Sequence, residues 1–92
     1  MEQNPSICIP RVDITMSRNY IFNKLRLANF GKIIKIIEIP LKKDENYKRI
    51  IVKIRWNEND KRAIEFRDKL NNGESIILVH EMPWFWKIIL AI

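Results

Sequence analysis

Lys48-Arg49-Ile50-Ile51-Val52-Lys53-Ile54-Arg55-Trp56 is the stretch on which the fold turns. Arg49, Ile51, Lys53 and Arg55 alternate with Ile50, Val52, Ile54 and Trp56, and a period of two is the signature of an extended strand. The apolar set must face a core. The opposite row, with three cations, then lies on a sheet face left open to solvent.

Toward the N-terminus, Lys32 to Leu41 is dense in isoleucine and runs into the charged turn Lys42-Lys43-Asp44-Glu45-Asn46, which predicts a second strand. Ile33, Lys35, Ile37 and Ile39 form one alternating set, and Ile34, Ile36 and Glu38 the other. Neither is cleanly polar, so a bulge or burial on both faces is expected. Before it, Ile21, Leu25 and Ala28 recur at helical spacing. Ser17 is placed as N-cap, Met16 and Ile21 as a hydrophobic staple, and Gly31 as the glycine that closes the helix. Ser6 to Val12, rich in β-branched residues and interrupted by Pro10, reads as the first strand.

Toward the C-terminus, Asn57, Asn59 and Asp60 are candidate caps for a second helix with Ala63, Phe66 and Leu70 on one stripe, stopped by Asn71-Asn72-Gly73. Ser75 to His80, a turn at Glu81-Met82-Pro83, and Trp84 to Ala91 form a hairpin-like pair. In the last strand an outward Lys87 puts Phe85, Ile89 and Ala91 beside it and turns Trp84, Trp86, Ile88 and Leu90 inward. The three tryptophans are therefore expected in the core.

The 92 residues suit one domain, 1–92, with one core, and 47% apolar residues are enough to fill it. The order strand, helix, strand, strand, helix, strand predicts an α+β, ferredoxin-like βαββαβ sandwich. A four-stranded antiparallel sheet carries both helices on one face, with an extra strand before the last. A single cysteine, Cys8, excludes an intramolecular disulfide framework and paired-cysteine zinc sites, and it is expected as a small, at least half-buried apolar residue. The longest apolar run is broken by Lys87, short of a membrane span, and Met1-Glu2-Gln3-Asn4-Pro5 has no signal-peptide pattern. The expected setting is intracellular, without a membrane.

Several stretches together resemble the RNA recognition motif. Ile7 to Val12 falls where that family has its first-strand hexamer, Phe30-Gly31-Lys32-Ile33 follows the first helix, and Arg49 to Trp56 falls at the third-strand octamer. Leu70-Asn71-Asn72-Gly73 matches the turn at the end of the second helix. The closing Pro83-Trp84-Phe85-Trp86-Lys87 is similar to the ends of small giant-virus proteins of this type, which implies the cytoplasm or nucleus of an infected cell, or a virion. In the family, rings on the hexamer and octamer stack on bases. Here Ile51, Lys53 and Cys8 occupy those places, so the usual stacking platforms are missing.

Charge stands in for them. The net charge is +6, and clustered Lys and Arg gain free energy by displacing counterions from phosphates. Arg49, Lys53, Arg55 and Lys87 on the open face, with Ile51 among them, Arg11 at its edge, and Lys42, Lys43 and Lys48 nearby make a cationic surface. Phe85 is the one ring on it able to stack a base. The expectation is a non-catalytic nucleic-acid-binding module whose partner is single-stranded RNA or another nucleic acid.

Two plainer assignments stand beside it. A basic row also keeps a sheet face solvated and free of edge pairing, and the isoleucines Ile37, Ile39, Ile51 and Ile89 suit a protein partner, self-association or a virion-associated structural role. Enzyme and metal-carrier sites of this topology are not expected. Pro10 to Ser17 holds no glycine for a phosphate loop, no His/Glu metal pair is visible, and His80 reads as a surface or edge-strand residue. No cofactor or metal is anticipated.

Overall fold

The computed structural model describes residues 4–91; the opening Met1-Glu2-Gln3 lies outside them. The order is β1 (Ile7–Asp13), α1 (Arg18–Ala28), β2 (Gly31–Pro40), β3 (Tyr47–Trp56), α2 (Lys61–Asn71), β4 (Ile76–Glu81) and β5 (Trp84–Leu90). All strands join one antiparallel sheet in the order β2-β3-β1-β5-β4. The sheet thus has five strands rather than four: the segment after α2 is a full edge strand, paired with β5.

Local chemistry accounts for the element ends. Ser17 Oγ accepts from the Tyr20 N–H, capping α1, and Met16 and Ile21 both pack on the core as a staple does. Asp60 caps α2 by accepting from the N–H groups of Arg62 and Ala63. The α2 end is a Schellman turn, with Gly73 N–H donating to the Leu70 carbonyl and Glu74 N–H to that of Lys69 while Gly73 takes φ +84°. The end of α1 departs from expectation. Asn29, at φ 57°, takes the left-handed position, and Gly31 opens β2, where a Cβ would run into the Arg55 carbonyl oxygen and lie 2.8 Å from the Trp56 Cα. Close strand approach, not helix closure, is what requires glycine there.

One hydrophobic cluster joins Ile21 and Leu25 of α1, Ala63 and Leu70 of α2, and the strand residues Ile7, Ile9, Ile50, Val52, Ile54, Trp56 and Ile88. These are the alternate strand positions of the sequence pattern, so the helices cover that face. Trp56 is anchored further by donating from Nε1 to the Pro5 carbonyl at 2.9 Å. No helix among the described residues is long and apolar enough to cross a membrane.

Candidate functional site

Residues directly opposite across a ladder share a face. From Cys8, opposite both Ile51 and Ile89, and Ile37, opposite Ile51, the uncovered face can be followed strand by strand. Arg49, Lys53 and Arg55 of β3 lie on it, exposed, as do Phe85 and Lys87 of β5. Two further cations join them from β2. Lys32 stands opposite Arg55, and Lys35 opposite Lys53, like charges facing like at the spacing where repulsion is strongest. Among the described residues none of Lys32, Lys35, Arg49, Lys53, Arg55 and Lys87 makes an ion pair.

Lys35 reaches this face because β2 bulges between Ile33 and Lys35. Ile34 is the extra residue and is left 56% exposed. The two mixed alternating sets were the trace of that bulge in the sequence, but they did not tell which half of the strand was shifted.

Arg11 occupies a bulge of β1, between the pairs Ile9/Ile50 and Val12/Lys48. Its guanidinium lies 4.0 Å over the ring of Tyr47 and donates to Asp44 at 3.3 Å. Lys42 and Lys43 are exposed in the same β2–β3 loop as Asp44, so the loop cations and Arg11 gather at one end of β3. Ile51 sits half-buried at the centre of the face, beside Cys8, whose thiol is pushed up by burial more than the Arg49 charge lowers it.

Two expectations are corrected. Lys48 is not on the surface: it faces the helix side, buried, with Nζ donating to Glu38 Oε1 and to the Met16 carbonyl, both at 2.6 Å. Arg18 supplies Glu38 with a second cation at 3.1 Å, and the Lys48 bond leads in holding that carboxyl below its usual range. Trp84 is not in the core. Trp86 is the last ring of the strand with cover, edge-on to Tyr20 and stacked on His80 at 4.2 Å, whereas Trp84 is 67% exposed. His80 lies on the edge strand, one of the two places expected for it, and is buried there, its Nδ1 2.9 Å from the Tyr20 hydroxyl, with desolvation lowering its pKa.

What the open face offers is therefore a field of positive charge beside isolated rings. Among the described residues no cluster of three or more His, Cys, Asp or Glu side chains is arranged to hold a metal ion. No family model, no curated protein and no solved structure matches this chain.

Proposed function

We propose that the chain is a non-catalytic module that binds single-stranded nucleic acid, RNA first, across the open face of its sheet. One observation carries this: six cations on that face with no ion pair among the described residues, four of them set against each other as Lys32/Arg55 and Lys35/Lys53. Opposed like charges destabilise a sheet, and a polyanion converts that cost into attraction. Over β3 the distance from Tyr47 to Arg55 is about 27 Å at the usual rise per residue, room for several nucleotides. The strand order β2-β3-β1-β5, with β4 added outside β5, supports the ferredoxin-like, RNA-recognition-motif-like assignment. The absence of rings at Cys8, Ile51 and Lys53 points to phosphate contacts with little base preference on this part of the face.

Ile77 and Val79, 54% and 50% exposed on the edge strand β4, favour a protein contact as the second possibility. Fluorescence anisotropy of labelled single-stranded RNA and DNA at two salt concentrations, with sizing of the free protein, separates the two. Nucleic-acid binding predicts steep weakening with salt and its loss in Lys53→Glu/Arg55→Glu. No binding at low salt, together with a stable dimer, would transfer the face to a protein partner.

A further inference from the structure

The β1/β5 ladder consists of Ile7 opposite Leu90 and Cys8 opposite Ile89. Beyond Cys8, β1 bulges at Pro10 and Arg11 and follows β3, while β5 is paired on its other side with β4. The two strands splay and leave a slot of about 530 Å³ between them. Arg11, Asp13 and Tyr47 line one side and Glu81, Trp84 and Phe85 the other, with Met16, His80 and Trp86 closing it toward the helices. Trp84 and Phe85 are 67% and 57% exposed, two large rings at successive strand positions with no aromatic or cationic group stacked on either among the described residues. Tyr47 is already covered by the Arg11 guanidinium, whose other face is a second flat platform.

An aliphatic partner would fit this slot poorly, because it would strip water from Asp13 and Glu81 without offering them donors. Asp13 Oδ1 accepts from the Thr15 N–H and hydroxyl at 2.8 and 2.6 Å, and Glu81 Oε2 from the Tyr20 hydroxyl at 3.3 Å. The second oxygen of each carboxylate has no hydrogen bond among the described residues. Phosphate would be repelled here and drawn instead to the neighbouring cations. A ligand with a flat apolar body and a donor-bearing edge meets every requirement.

We propose that the slot takes one unstacked base of the bound strand, guanine before the other bases, stacked on Trp84 with the Arg11 guanidinium on the opposite wall. This rests on the nucleic-acid function proposed above. Guanine presents adjacent N1–H and N2–H donors, which a carboxylate accepts together, whereas uracil sets one N–H between two carbonyl oxygens that the carboxylate repels. Stacking supplies the affinity, and the Asp13 and Glu81 oxygens the choice of base.

The test compares three eight-nucleotide RNAs by anisotropy: all uridine, uridine with one central guanosine, and the same strand abasic at that position. The guanosine strand is expected to bind about tenfold tighter than the other two. Trp84→Ala should weaken it about tenfold without changing the salt dependence, and Asp13→Asn, which keeps an acceptor for Thr15, should erase the advantage over uridine. Because Trp56 and Trp86 are buried, shielding of tryptophan emission from acrylamide by the guanosine strand reports on Trp84. Salt-dependent binding that is equal for all three strands and for Trp84→Ala overturns the slot and leaves the cationic face standing. Failure of every strand to bind at low salt removes both. Shielding of Trp84 in the free protein, with a dimeric mass, overturns the slot in favour of a contact between copies.

Discussion

Reversing the charge of Lys53 and Arg55 should move affinity and stability in opposite directions. If all six face cations meet phosphates, a single strand releases counterions with a log–log slope of about −0.7 per contact, or about −4 in total, so that raising salt from 50 to 200 mM weakens binding about 300-fold. In Lys53→Glu/Arg55→Glu four cations remain against two new anions, a net of two, and the slope falls to about −1.4 with most of the low-salt affinity gone. The same change sets Glu opposite Lys35 and Lys32, where Lys53 and Arg55 stood. Cross-strand charge pairs are worth about 0.2–1 kcal/mol each, at the low end where both partners are exposed. Turning two repulsions into two attractions should therefore stabilise the fold by about 1 kcal/mol, or roughly 4–8 °C in Tm for a chain of this size. Thermal melts at 20 mM and 1 M salt check it: the gain should shrink at 1 M, where the screening length is about 3 Å. A lower Tm with undiminished RNA binding would refute both the facing of the pairs and the role given to them.

Lys48→Met should leave RNA affinity unchanged while destabilising the protein by about 1–3 kcal/mol in urea titration, because Glu38 and the Met16 carbonyl lose a buried donor. Gly31→Ala should cost roughly 3 kcal/mol or more by the same measurement, since the new Cβ meets the backbone of the neighbouring strand. Stability should be constant above about pH 6.5 as far as His80 is concerned and fall as pH drops below it. Its folded pKa is depressed, so the unfolded chain takes up the proton first. A second decline should follow below about pH 4.5 as Glu38 and then Asp13, both held low, are forced to protonate. His80→Asn should flatten only the first of these declines in a pH series of melts. Cys8 in the native protein should react slowly with a thiol reagent, its thiol being buried and its pKa raised, and at an ordinary rate once unfolded.

The alternation in β3 could be read from the chain because both faces of that strand are set by one central position in the sheet. Its apolar residues have helices beneath them along the whole length, and no register shift with β2 or β1 disturbs its own order. The caps Ser17 and Asp60 and the stop at Gly73 were legible for a similar reason: each is satisfied within a few residues of itself. Trp84 was not, because strand alternation gives its direction but not whether anything covers it, and it is left 67% exposed. Lys48 was misplaced because it was assigned to the neighbouring loop, although in β3 it falls in the same inward alternating set as Ile50 and Val52. What the local sequence does not mark is Glu38, on another strand, as the carboxylate that meets its charge there.

That pairing and the single sign of the open face have one common origin, the inserted residue Ile34. Had β2 continued from Ile33 opposite Ile54 without a bulge, Ile34 would face Lys53, Lys35 would be driven toward Val52 in the core, and Ile36 would stand on the open face beside Ile51. Glu38 would then lie on the open face among the cations, neutralising the field it now leaves intact. The shift turns all of this over at once. Lys35 joins Lys53 outside, Ile36 packs inside against Val52, and Glu38 is carried to the helix side, where it binds Lys48 and Arg18. The one carboxylate of β2 is thus removed from the open face and given buried work, and the one lysine of β3 that is lost from that face is the lysine that holds it there. A single bulge separates the charges of two strands into an interior ion pair and an exterior of one sign, and that exterior is what a chain of phosphates can recognise.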